Sequence, residues 1–249
     1  MRRVSVQVPH LRAEEARAVM LELFPEGFEE AERPGGVELA AYTNAQGEER
    51  LWHVFGGAQS TDVPDGWEDR WRTFHRPVRV RGLWVGPPWE VPDAALVAVV
   101  IDPGRAFGTG AHPTTQLCLE LVQELDRGSL LDVGCGSGVI AIAAALLGHE
   151  PVVGVDTEQA AIDATCENAA RNGVSIDARL VEPDAPLPRA AAAVANISLD
   201  AVRALPGRID VDALVTSGYL ADQQSDLAGF ERIARREQGG WAADLYGRV

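Results

Sequence analysis

Apolar residues along this chain follow two different patterns, and the change from one to the other divides it. In the first quarter they alternate or recur at helical spacing. Arg3–Val8 alternates like a half-buried strand, and Ala16, Val19, Met20 and Leu23 share one face of a helix over Ala13–Leu23. Gly27–Glu32 and Val37–Tyr42 read as strands around the turn residues Pro34-Gly35-Gly36. A short second helix is predicted over Glu48–Phe55 and an edge strand over Gln59–Val63. The order β-α-β-β-α-β predicts a small α+β, ferredoxin-like module over residues 1–64. It carries no cluster of groups that would do chemistry, so recognition is its expected task.

From residue 94 the pattern becomes short, mostly apolar runs, Leu96–Ile101, Leu130–Val133 (with Asp132 in it), Val152–Val155, Ala190–Ala195 and Ala213–Thr216, with a more polar strand over Asp177–Val181. Runs of this kind suit strands buried on both faces of a parallel sheet. Helices are predicted between them, after Pro113, over Val139–Leu147, over Glu158–Arg171 and over Ala221–Ile233, with a closing hairpin over Arg236–Arg248. The expected fold of residues 94–249 is therefore a doubly wound, Rossmann-like α/β domain. Residues 65–93 differ from both flanks. They hold four of the six tryptophans (Trp67, Trp71, Trp84, Trp89) and Arg70, Arg72, Arg76, Arg79 and Arg81, and are expected to form an interdomain linker.

The stretch LLDVGCGSGVIAIAAALLGHEPVVGVD, residues 130–156, concentrates the chemistry. A strand ends in Gly134, Gly136 and Gly138, a helix follows, and the next strand ends in Asp156. Glycines fit where backbone turns sharply beside a ligand, and a terminal acid is placed to accept from a ribose diol. The spacing is G-x-G-x-G, so the third glycine falls one residue earlier than in the dinucleotide fingerprint. Asp132 precedes the turn. A carboxylate there is awkward beside a pyrophosphate but suits a ligand with an ammonium group. S-adenosylmethionine, with an amino-acid head, a sulfonium, a ribose and no phosphate, is the expected cofactor.

Two further segments belong to the ligand-facing ends of the strands. DPGRAFGTGAHPTT, residues 102–115, is a glycine-rich loop running into a helix with Pro113 in its first turn. Thr114 and Thr115 supply hydroxyls there, and capping is their routine use. His112 is a candidate base or hydrogen-bond donor. Asn196, at the carboxyl end of a strand, stands where chemistry is expected, and its amide oxygen can accept from an amine.

Composition adds bounds. With 22 Lys and Arg against 37 Asp and Glu, the net charge is −15, which argues against non-specific nucleic-acid binding and is compatible with a basic protein partner. The cysteines Cys118, Cys135 and Cys166 show no metal-ligand spacing, so no metal is expected and a reducing cytoplasm fits. The amino terminus lacks a signal-peptide pattern, and the longest apolar run, Val139–Leu147, is too short to cross a bilayer.

Taken together, GWEDRWRTFHRPVRV, DPGRAFGTGAHPTTQLCLELV, LLDVGCGSGVIAIAAALLG, NAARNGV, VANI and TSGYL resemble the PrmA-type ribosomal-protein methyltransferases, which act on the eleventh protein of the large ribosomal subunit. The resemblance spans most of residues 66–220 and is weak in the amino-terminal module. It implies a class I methyltransferase domain, an amino-terminal substrate-recognition domain, and methyl transfer from S-adenosylmethionine to lysine or N-terminal amines of a basic ribosomal protein; a cytoplasmic monomer is expected. It further implies cofactor contacts from Thr115, Gly134, Asp156 and Asn196, with Phe107 over the cofactor; Gly136 joins them from the turn itself. Asn196 and, less centrally, His112 are the expected catalytic groups. Three rivals remain: a nicotinamide-dependent oxidoreductase, disfavoured by the glycine spacing; a silent binding module on the same fold; and a methyltransferase for a lysine of another protein.

Overall fold

The structure, a computed structural model, describes residues 2–24, 28–62, 75–103 and 110–249. Trp67, Arg70, Trp71, Arg72 and Phe107 lie outside the described residues. The chain divides into two units, residues 1–74 and 75–249.

In the first unit, β1 (Arg2–Val8), α1 (Ala13–Leu23), β2 (Glu29–Arg33), β3 (Gly36–Thr43), α2 (Ala45–Phe55) and β4 (Gln59–Asp62) follow in chain order. The sheet runs β2-β3-β1-β4 with every pair antiparallel, which is the ferredoxin-like arrangement. Period-2 patterning explains the core. Val4, Val6 and Val8 of β1 and Val37, Leu39 and Ala41 of β3 face Ala16 and Met20 of α1 and Leu51 of α2. α2 starts three residues earlier than its apolar spacing suggests, because Asn44 caps it: the side chain accepts from the Gln46 and Gly47 amides.

The second unit opens with a small sheet, β5 (Val78–Val80), β6 (Leu83–Gly86) and β7 (Val97–Val100). Its first two strands lie in the stretch expected as linker over 65–93. They form a hairpin around Arg81 and Gly82, pair onward with β7, and bury Trp84. The tryptophan and proline content hides the alternation of VRV and LWV. Then follow α3 (Pro113–Val122), β8 (Leu130–Val133), α4 (Val139–Leu146), β9 (Val152–Asp156), α5 (Gln159–Arg171), β10 (Asp177–Leu180), β11 (Ala192–Asn196), α6 (Leu199–Arg203), β12 (Ala213–Leu220), β13 (Phe230–Gln238) and β14 (Trp241–Arg248).

The main sheet has the order β10-β9-β8-β11-β12-β14-β13. Its first five strands are parallel, and β14 runs antiparallel to both neighbours. Strand order reverses between β8 and β11, and a ligand crevice forms outside the carboxyl ends of strands at such a point. One face of the sheet packs Leu130, Val194 and Val215 against Leu117 and Leu121 of α3 and Ile140 and Ile142 of α4. The other packs Leu131, Ala193, Leu214 and Tyr246 against Val202 and Leu205.

The helix expected over Ala221–Ile233 is not formed. A loop leads to Gly229, whose φ of +80° stops helical continuation, and Phe230 starts an edge strand. A register shift between Arg232 and Ala234 turns Ile233 outward, against Gly247. Among the described residues no helix is long and apolar enough to cross a membrane.

Candidate active site

The crevice between β8 and β11 is built from backbone first. Gly134 follows β8 with a φ of +74°, and a Cβ on it would stand 2.4 Å from Ile197 Cγ2, at the end of β11. Gly218 in β12 has a φ of +100°, and a Cβ there would lie 2.0 Å from the Ile197 carbonyl oxygen. Ile197, and with it the adjacent Asn196, is therefore seated between two backbones that have no room for a side chain. Sequence reasoning singled out Gly134 but gave Gly218 no role.

Most amides of the glycine turn are consumed inside the protein. Gly134 and Cys135 donate to the Val155 carbonyl at 2.8 and 3.1 Å, and Gly138 donates to the Cys135 carbonyl at 2.8 Å. Gly136 donates to Asp156 Oδ2 at 3.0 Å, and the other carboxylate oxygen accepts from the Glu158 amide at 3.1 Å. Phosphate-binding turns work by aiming several free N–H groups at the anion. This turn spends its own on holding β9 and Asp156, so it suits a phosphate-free ligand. Each Asp156 oxygen keeps a second lone-pair direction for a diol.

Asp132 lies beneath the turn, 1% exposed. Its Oδ2 accepts from the Ala141 amide at 3.0 Å, which caps α4 from the strand because Gly138 has no side chain to do so. Its Oδ1 is buried and has no hydrogen-bond partner among the described residues. Burial pushes the carboxyl up to about 7, with the Asp156 charge adding and the Ala141 amide opposing. A cation is the partner that such a group lacks. Cys135, inside the turn, is also pushed up, to about 12, chiefly by burial, so it stays a neutral thiol and no nucleophile.

Asn196 ends β11, and its Nδ2 donates to Thr115 Oγ1 at 3.3 Å. Thr115 is fully buried in the first turn of α3. The two residues are thus brought together from the first turn of α3 and the carboxyl end of β11. His112 is the N-cap of α3: Nδ1 accepts from the Thr114 amide at 3.4 Å and lies 2.8 Å from its hydroxyl. The ring meets Trp241 edge-on at 4.9 Å, and burial lowers its pKa. Holding the helix start is the use of this histidine that the geometry shows.

α5 supplies residues the sequence reading left without a role. Thr165 places its hydroxyl 3.1 Å from the Gly136 carbonyl, and Asn168 donates to the Ser137 carbonyl at 3.0 Å. Asn168 and Asn172 also bond the end of β7. The signal was present as two asparagines four apart in NAARNGV, on one helix face.

The parallel order around the β8–β11 switch, the antiparallel β14 and the glycine turn with Asp156 define a class I methyltransferase fold. A family model described as "Ribosomal protein L11 methyltransferase (PrmA)" matches residues 29–245. A protein of that name from Azotobacter vinelandii is 41% identical over 191 residues, covering 70% of this chain and 65% of the relative. Its namesake from Tolumonas auensis is 44% identical over 172 residues, covering 65% of this chain and 59% of the relative. The chain belongs to the ribosomal protein L11 methyltransferase (PrmA) family, and it spans less than two thirds of the length of these curated relatives. A solved structure of the ribosomal protein L11 methylase from Lactobacillus delbrueckii subsp. bulgaricus superposes with a TM-score of 0.61 at 30% identity, covering 70% of this chain and 99% of that one.

Proposed function

We propose that the protein is an S-adenosylmethionine-dependent methyltransferase that acts on lysine or N-terminal amines of a basic ribosomal protein, the eleventh of the large subunit. The observation that carries this reading is a turn whose amides are committed to Asp156 and β9, above a buried Asp132 oxygen in want of a cation. The residues fit S-adenosylmethionine: Asp156 for the ribose diol, Asp132 for the ammonium, and Gly134 and Gly136 for close approach of the backbone. When bound, this cofactor supplies a methyl group on a sulfonium, already activated for transfer to an amine.

The protein's remaining work is to position a neutral amine and exclude water. A lysine at its ordinary pKa of about 10.4 is nearly all protonated at neutral pH, so acceptors that favour the free amine matter. With Asn196 Nδ2 turned to Thr115, Oδ1 is the acceptor offered to an amine N–H. Thr115 fixes that orientation, and His112 holds Thr115 by capping α3. The family relatives' name supports the ribosomal substrate, and the net charge of −15 favours a basic partner. A cytoplasmic monomer with no direct nucleic-acid contact completes the proposal.

The test is transfer of radiolabelled methyl groups to purified large-subunit ribosomal proteins. One labelled ribosomal protein is expected, with turnover lowered about 100-fold in Asn196→Ala. Near-wild-type turnover of that variant would remove Asn196 from the chemistry. Cofactor binding with no labelling would favour a silent binding module, and labelling confined to another protein would overturn the ribosomal assignment.

A further inference from the structure

β7 is the outer strand of the small sheet and, among the described residues, pairs with a strand on one side only, that of β6. On its other side α5 takes the place of a strand. Asn172 Oδ1 accepts from the Val100 amide at 2.8 Å while its Nδ2 donates to the Val100 carbonyl at 2.7 Å, as a paired residue would. Two residues on, the same side of the strand presents the Asp102 amide, and Asn168 Oδ1 accepts it at 3.0 Å. The Arg171 guanidinium pairs with the Asp102 carboxylate at 3.1 Å. Two amides four apart on one helix face thus hold alternate residues of one extended edge.

The other end of the Asn168 amide reaches the cofactor turn. Its Nδ2 donates to the Ser137 carbonyl, and the Thr165 hydroxyl, three residues earlier, lies against the Gly136 carbonyl. Both carbonyls are thereby drawn to the α5 side. The Gly136 amide is left aimed at Asp156, the group placed for the ribose. Asn168 is 2% exposed and Thr165 fully buried, so neither bond competes with bulk water.

We propose that Thr165 and Asn168 are positioning residues: they fix the peptide planes of Gly136 and Ser137, register the turn against the exit of β7, and so set cofactor affinity without touching the cofactor. This rests on the methyltransferase reading above.

The experiment measures the dissociation constant of S-adenosylmethionine by calorimetry, together with its KM and kcat, for the wild type, Asn168→Asp and Thr165→Val. Asn168→Asp keeps the acceptor for the Asp102 amide but sets a carboxylate oxygen against the Ser137 carbonyl. It is expected to weaken cofactor binding about tenfold or more at pH 8, with kcat at saturating cofactor within about twofold of wild type. Acidification protonates the introduced carboxyl, restores a donor, and closes the gap to wild type by about pH 5.5. The other ionisable groups around this site are the Asp102–Arg171 pair, Asp132, Asp156 and Cys135. They are present in both proteins, so the ratio of the two constants isolates position 168.

Thr165→Val exchanges the hydroxyl, with its bonds to the Gly136 carbonyl and Cys135 Sγ within the same turn, for a methyl group and gives a several-fold loss without pH rescue, which keeps the test open if Asn168→Asp fails to fold. Wild-type affinity in both variants with a lowered unfolding temperature would make α5 a merely structural support and overturn the proposal. A wild type that does not bind S-adenosylmethionine would instead sink the methyltransferase reading beneath it.

Discussion

Replacing Asp132 by asparagine separates its two tasks, capping α4 and presenting negative charge. An asparagine oxygen can accept the Ala141 amide as Asp132 Oδ2 does at 3.0 Å, so the helix start is kept. What is lost is a charge that the fold resists. Burial pushes this carboxyl up to about 7 from an unperturbed 3.8. Below pH 3.8 the folded and unfolded chains both hold the proton and the site is neutral to stability. Between 3.8 and about 7 the unfolded chain gives up its proton first, and folding loses about 1.4 kcal/mol per pH unit. Above 7 the loss is complete, roughly three units or up to about 4 kcal/mol.

The Asp132→Asn variant carries no such penalty, so relative to wild type it gains stability between pH 4 and pH 8. Urea unfolding of both proteins across that range reads the difference directly, since the other titrating groups are common to both. Cofactor binding moves in the opposite direction. The wild-type carboxylate pairs with an ammonium only when ionised, so affinity for S-adenosylmethionine rises with pH up to about 7 and then levels. In Asp132→Asn it is weaker and lacks that rise. A variant with no relative gain in stability by pH 8 would refute the buried-charge argument, and one that binds the cofactor as tightly as wild type would refute the role given to Oδ1.

Asp156→Ala removes the acceptor for the Gly136 and Glu158 amides along with the diol partner, and should weaken S-adenosylmethionine binding at least about tenfold by calorimetry. His112→Asn retains an N-cap acceptor and should keep both the unfolding temperature and the pH–rate profile, whereas His112→Ala should cost about 1 kcal/mol of stability; a profile that loses an ionisation in His112→Asn would instead make the histidine a base. Asp244→Ala should destabilise by about 2–3 kcal/mol in thermal or urea unfolding, because the fully buried carboxylate accepts from Arg235 at 2.9 Å and from the Tyr219 hydroxyl at 2.8 Å, and each donor would lose one of its several bonds. A loss below about 1 kcal/mol would show that water replaces it.

The parts of this molecule that could be read from sequence are those whose residue pattern is dictated by their own burial. VVGV is apolar throughout, and LLDV is apolar but for Asp132, because a strand of a covered parallel sheet faces the core on both sides, and β1 alternates because only one side of its sheet is covered by helices. Gly134, Gly136 and Asp156 were legible for a related reason: a sharp turn at a strand end admits few residue types. The loop before β13 and the hairpin at Arg81 were not, since Leu227, Phe230 and Ile233 fit a helical period as well as an edge strand, and only pairing with β14 decides between them.

The site's supports were the least legible, and the reason is geometric. Asn168 and Asn172 are ordinary polar residues on an exposed-to-buried helix face, and nothing in their own segment distinguishes a solvated amide from one that completes a strand edge. Their role exists only because the small sheet leaves β7 unpaired on the side where α5 passes, so that the Val100 and Asp102 amides need acceptors there. The same holds for Asp132: its carboxylate was read as a ligand group, yet its first observed use is to supply the cap that a glycine at the N-cap cannot. In the proposed methyltransferase, a ligand contact and a structural bond share one carboxylate, one oxygen each. That sharing gives a physical reason for an acid at this position: an alanine would forfeit both functions, and an asparagine would keep only the cap.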